Sequence, residues 1–256
     1  MILERFRLDD RVAVVTGAGR GIGEGCALAL AEMGADVVCA ARTPDQIEAT
    51  AEKIRGLGRR ALAVSCDVME RSQLENLVES AKREFGRIDV LVNNAGGSPP
   101  SPALQTSEKA FENALRFNVT SAFLLSRLAI PVMQEGDGGS IVNISSAAGR
   151  LVQPNFVAYG TAKAALSFMT RQLASELAPR VRVNAIAVGA VKTSALMPFL
   201  NDELEQAMAD LTPMGRLGEV EDIALAALFL ASPAASWVTG KVFEVDGGTE
   251  ATNWPF

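Results

Sequence analysis

The stretch "RVAVVTGAGRGIG", residues 11–23, decides the fold. Its first half is a short valine-rich run, apolar on both faces, as in a strand covered on both sides. Its second half, "TGAGRGIG" from Thr16 to Gly23, is a glycine turn that opens a helical run. A strand feeding such a turn aims backbone N–H groups and a helix N-terminus at a pyrophosphate. The spacing is T-G-x-x-x-G-x-G on Gly17, Gly21 and Gly23. The strict G-x-G-x-x-G fingerprint fails, because Ile22 stands at its third glycine. Taken alone, the turn also reads as a tight strand-to-helix connection that holds no ligand.

Outward from that stretch, apolar runs recur at 36–41, 61–67, 88–96, 139–145, 181–187 and 241–248. Helical patterns lie between them, near 22–33, 45–57, 70–84, 108–134, 157–178 and 219–231. Alternation of this kind predicts right-handed βαβ units, a doubly wound parallel sheet with helices on both faces, and the α/β class. Neither an internal repeat nor a low-complexity linker interrupts the 256 residues, so a single domain, 1–256, is expected. Residues 188–218 read as a long loop, a length that favours a lid or binding element. Within it, "ALMPFL" (195–200) reads as an apolar lid over a lipophilic substrate, or as a face packed on the core or a neighbouring subunit.

Composition excludes several classes. A net charge of −6 argues against nucleic-acid binding, which needs a basic face. The three cysteines, Cys26, Cys39 and Cys66, sit in apolar surroundings without metal-ligand spacing and read as buried free thiols of a reducing compartment. With no histidine in the chain, Ser-His-Asp triads and His-containing zinc sites are ruled out, and no metal is expected. "MILERFRLDD" is too charged for a signal peptide, and no apolar run approaches the ~18 residues of a membrane helix. A cytoplasmic protein without membrane insertion is expected.

The second strand bears on the ligand. Dinucleotide folds selective for NAD(H) place Asp or Glu about 20 residues beyond the glycines, to hold the ribose 2′-OH. Here the strand ends at Ala40 and Ala41, followed by Arg42. A forked guanidinium pairs with a 2′-phosphate, and Arg20 in the glycine turn approaches from the other side. NADP(H) is therefore expected over NAD(H), which stays possible; the other reading has Arg42 merely solvating a loop.

A chain without histidine needs another group to move protons near neutral pH. The single tyrosine, Tyr159, stands four residues before Lys163 in "VAYGTAK" (157–163). On a helix this spacing shares a face. An ammonium ~6 Å away, at an effective dielectric of ~20, favours phenolate by about 2–3 kcal/mol, which moves the phenol from ~10 toward ~8. Y-x-x-x-K by itself also describes an ordinary helix-surface pair. Ser146, at the end of the run "IVNISSAAG", lies where open α/β sheets bind ligands, while Ser145 reads as a structural strand-end residue. Asn118 sits inside a helical run, where asparagine is a poor helix former. It is either a satisfied core amide or a member of the site.

Together, T-G-x-x-x-G-x-G at 16–23, "NNAG" at 93–96, Asn118, Ser146 and Tyr159-x-x-x-Lys163 resemble the short-chain dehydrogenase/reductase family over about residues 9–249. The resemblance implies a seven-stranded Rossmann fold and a nicotinamide cofactor. It also implies Tyr159 as general acid/base, Lys163 on the nicotinamide ribose, Ser146 polarising the substrate oxygen and Asn118 supporting a proton-relaying water. Carried over residue by residue, it gives Asp67 and Val68 adenine contacts. Asn94, Ala95 and Gly96 frame the cofactor cavity, and Thr193 bonds the carboxamide on a segment that also brings Gly189 and Val191. Val188 stands where the family usually has proline, so a looser start to the substrate loop is expected.

Within the family, residues 212–248 resemble both 3-oxoacyl-carrier-protein reductases and bacterial 7α-hydroxysteroid dehydrogenases, with "SPAASWV" and "KTSAL" leaning to the latter. Docking to an acidic carrier would draw on Arg116, Arg127 and Arg171, which form no dense cluster in sequence. A non-catalytic dinucleotide sensor is the rival class, and it has no need of an intact Ser-Tyr-Lys set. The resemblance also implies a homotetramer, with "VFEVDGG" and "NWPF" candidates for burial between subunits.

Overall fold

The apolar runs become seven strands, β1 (Val12–Thr16), β2 (Asp36–Ala41), β3 (Ala61–Ser65), β4 (Val90–Asn93), β5 (Gly139–Ser146), β6 (Val181–Val188) and β7 (Val242–Val245). The computed structural model describes residues 1–194, 196–197 and 200–253. Sheet order is β3-β2-β1-β4-β5-β6-β7, and every neighbouring pair is parallel. Strand order reverses between β1 and β4, which opens the crevice where such sheets bind ligands.

Both faces of the sheet are covered, as the continuous apolar runs require. Ala13 and Val15 pack with Cys26 and Leu30 of α1 (Gly21–Glu32), Ile47 and Ile54 of α2 (Pro44–Gly56), and Ile223 and Ala227 of α8 (Val220–Ala231). Val12 and Val14 face the other way. They pack with Leu74 and Leu77 of α3 (Arg71–Phe85), Leu125 and Ala129 of α5 (Ser121–Glu135), and Ala174 of α6 (Val157–Leu177). α4 (Glu108–Leu115) starts on a Ser107 cap that accepts from Ala110 N–H, and it runs into α5 through one π turn, Arg116–Thr120. Single π turns of this kind concentrate at functional sites.

A buried amide chain ties β4, β5 and α6 together under the crevice. Asn93 Nδ2 donates to Asn143 Oδ1 at 2.8 Å and Asn143 Nδ2 to Thr170 Oγ1 at 2.9 Å. In a low-dielectric interior such bonds hold only when satisfied, so they fix the register of the three elements.

Two expectations are corrected. The segment 188–218 is not one loop: it contains α7 (Asp202–Asp210), capped by Asn201 accepting from Leu204 N–H and started by Asp202, Glu203 and Glu205, which suit the positive helix end. Nor does Val188 loosen the start of the segment. It ends β6 in register with Val245, and Gly189 N–H bonds the Val245 carbonyl at 3.1 Å, so backbone pairing fixes what proline's ring would fix. Of the expected apolar lid, Ala195, Pro198 and Phe199 lie outside the described residues, as do Trp254, Pro255 and Phe256 of the tail. Among the described residues, no helix is long and apolar enough to cross a membrane.

Candidate active site

A single cavity of about 760 Å³ lies along the carboxyl ends of the strands and receives nearly all the residues singled out in the sequence. At one end is the glycine turn. Gly17 and Gly21 adopt φ of +65° and +58°, the left-handed region that favours glycine. A Cβ on Gly17 would meet Asn94 Nδ2 at 2.6 Å, and one on Gly23 would run into the Gly17 carbonyl oxygen. Gly23 thus stands behind the turn and lets α1 start against it, while Gly17, Arg20, Gly21 and Ile22 line the cavity. Asn94 braces the same turn, its amide donating to the Thr16 carbonyl at 2.9 Å.

Arg42 follows β2 on the same wall, exposed like Arg20, and among the described residues neither side chain forms an ion pair or hydrogen bond. Asp67 and Val68 complete this end. One Asp67 oxygen accepts from Met69 N–H and shapes the turn. The glycine cradle, the α1 N-terminus and two unengaged guanidiniums fit a nicotinamide dinucleotide with its phosphates toward α1.

At the centre stand Ser146, Tyr159 and Lys163. Ser146 closes β5; its Oγ accepts from Ala148 N–H at 3.2 Å, and its hydroxyl hydrogen-bonds with the Tyr159 phenol. One helical turn along α6 separates Tyr159 from Lys163, whose Nζ lies 5.6 Å from the phenol ring centre. Lys163 is buried and donates to the Ile144 carbonyl at 2.8 Å. Ser145 is structural, bonding the Lys163 carbonyl at 3.0 Å and Ser167 Oγ at 2.8 Å.

The family model described as Enoyl-(Acyl carrier protein) reductase matches residues 17–250. The 7α-hydroxysteroid dehydrogenase of Escherichia coli (strain K12) is 42% identical over 96% of each chain. The chain belongs to the short-chain dehydrogenase/reductase family. An uncharacterized oxidoreductase of Mycobacterium tuberculosis (strain CDC 1551 / Oshkosh) is 52% identical over 99% of this chain and 97% of its own. A solved 7α-hydroxysteroid dehydrogenase, complexed with NADH and 7-oxo glycochenodeoxycholic acid, superposes with a TM-score of 0.93 at 42% identity over 96% of each chain. This member of the family is accordingly an oxidoreductase.

In this short-chain dehydrogenase/reductase the phenol departs from the sequence expectation. Burial pushes Tyr159 up from its ordinary value, and hydrogen bonding with Ser146 offsets that only in part. Desolvation of the phenolate thus works against the expected drop toward ~8 in the protein alone. The same burial brings Lys163 down to about 8. Cys66, also on the wall, is pushed up to about 11 by burial, an inert thiol.

Asn118 stands behind the wall rather than on it. Buried in the π turn, it clamps Gly97, accepting from its N–H at 2.9 Å and donating to its carbonyl at 3.0 Å, with a further bond to the Ala114 carbonyl. Gly96 has no side chain because one would meet Asn118 Oδ1 at 2.6 Å and Lys163 Nζ at 3.2 Å. Ala95, Gly96, Gly189, Val191 and Thr193 all line the cavity, and Thr193 faces Gly21 across it. Sequence reasoning missed the outer wall, made by Pro99, Pro100, Leu151, Phe156, Thr249 and Asn253. The proline run "SPPSP" (98–102) was the one local signal for a fixed loop there.

Proposed function

We propose that this enzyme transfers hydride between NADP(H) and the ketone or secondary-alcohol carbon of a lipophilic substrate, such as a hydroxysteroid. The observation that carries this reading is the meeting of Ser146, Tyr159 and Lys163 midway between a dinucleotide cradle and an apolar wall of Leu151, Phe156 and Leu196. A bound nicotinamide supplies or accepts the hydride. The residues manage the proton. In reduction, Tyr159, held neutral by burial, gives its proton to the oxygen as negative charge builds there. Ser146 O–H, with a lone pair already engaged by Ala148 N–H, donates to the same oxygen. Lys163 holds the ribose, and its ammonium, 5.6 Å from the phenol ring centre, favours the phenolate form. Oxidation reverses each step, with phenolate as base.

Asn118 enters as a positioning residue through Gly97, and Gly189, Val191 and Thr193 as the wall beside the nicotinamide. The reading extends to a cytoplasmic homotetramer: the thiols of Cys26, Cys39 and Cys66 are buried and free, and Phe123 of α5 and Phe168 of α6 expose apolar surface fit for burial between copies. A reductase acting on a carrier-bound acyl chain has less support, since Arg116 is engaged with the Met69 carbonyl and the outer wall lacks a cation among the described residues.

The test is NADPH and NADH consumption across a ketone panel. Turnover confined to small sugars or polyols would overturn the lipophilic reading. Arg42→Ala should raise KM for NADPH about 10–100-fold, the worth of a charge-assisted bond, and leave KM for NADH near its starting value. A wild type that favours NADH, or a variant with unchanged NADPH KM, contradicts the role given to Arg42.

A further inference from the structure

Charge is distributed unevenly along the cavity. Among the described residues its charged lining is Arg20, Arg42, Asp67 and Lys163, all in the dinucleotide half or in the central trio. The outer wall has none among the described residues: beside Leu151, Phe156 and Leu196 it offers uncharged polar groups such as those of Gln153, Thr249 and Asn253.

A guanidinium next to this wall in sequence is already engaged. Arg150, adjacent to Leu151, pairs with Glu244 at 3.2 Å, Asp246 at 3.1 Å and Glu250 at 3.1 Å, and donates to the Thr249 carbonyl at 2.7 Å. One cation against three carboxylates leaves two negative charges uncompensated within the cluster, with Glu250 84% exposed. An anionic group brought to this wall would lose hydration without gaining a cation, and would meet a repulsive field.

Resting on the oxidoreductase reading above, we infer that the substrate is a neutral lipophilic ketone or alcohol, and that the Arg150–Glu250 cluster discriminates at the mouth against molecules whose tails carry a carboxylate or phosphate. The specificity is electrostatic and separate from the chemistry at Tyr159. Acidic carriers and conjugated acids fall on the disfavoured side.

The experiment uses the full chain with NADPH and a matched pair of steroid ketones, one a free side-chain carboxylic acid and the other its methyl ester. The ester is expected to show kcat/KM at least about tenfold above the acid at low salt. Raising ionic strength from about 0.05 M to about 0.5 M should narrow that ratio. Glu250→Lys should narrow it too, by accelerating the acid more than the ester. An acid turned over as well as the ester overturns the inference and leaves the oxidoreductase reading intact. A preferred ester with a ratio unmoved by Glu250→Lys overturns the role of the cluster. Turnover of polar ketones alone overturns the substrate class, whereas no NADPH consumption with any ketone sinks the proposed function itself.

Discussion

Tyr159→Phe is expected to lower kcat for ketone reduction by at least about 100-fold while dinucleotide binding stays nearly intact, because positioned acid-base catalysis is worth typically 10²–10⁴-fold. The substitution removes one oxygen and little volume. In a half-buried position against Phe156, whose ring stands edge-on at 5.9 Å, the phenyl ring keeps its packing. A histidine-free chain has no nearby imidazole to take over the proton. Steady-state rates, together with fluorescence titration of NADPH, separate the two effects. Activity within about tenfold of the wild type would contradict the assignment.

Gly23→Ala should act on the other half of the site. Its Cβ would collide with the Gly17 carbonyl of the turn itself and meet Nδ2 of its brace, Asn94, at 2.5 Å. Because backbone is involved, the turn must open, at a destabilisation of about 1–3 kcal/mol and with NADPH affinity reduced by about 100-fold or more. Gly56→Ala is the matching control. It ends α2 with nothing within 4 Å of an added Cβ and should be neutral or stabilising by up to about 1 kcal/mol. Calorimetric Tm and a binding titration of both variants check the pair. Equal NADPH affinity in Gly23→Ala and the wild type would remove the glycine turn from the account.

Much of this architecture was legible because both-sides-buried strands leave continuous apolar runs, and each of the seven appears within a few residues of its reading. α7 was not legible. It is only nine residues long with just Met208 and Ala209 buried, too short a run to stand out, and Asn201 followed by acidic residues was its start signal. Ser146, Tyr159 and Lys163 could be found because strand-end position and helical spacing are local properties. The outer wall could not, since 97–100, 151–156 and 249–253 come together only through tertiary packing, the last fastened by Arg150 and by Asn253 bonding Thr212 at 3.0 Å. The phenol's pKa shows the same limit from the energetic side. Spacing gave the neighbouring cation, but not the desolvation that works against it.

That balance is open to direct reading, because Tyr159 is the chain's only tyrosine and phenolate ultraviolet absorbance reports it without background from any other. In the dinucleotide-free protein its titration midpoint should lie above the ordinary phenol value of about 10, and saturating NADP⁺ should pull it down, since its cationic nicotinamide ring would favour phenolate. A midpoint at or below about 10 in the free protein, or one that NADP⁺ leaves in place, would contradict the claim that a half-buried neutral phenol, tuned by nearby charge, moves the proton.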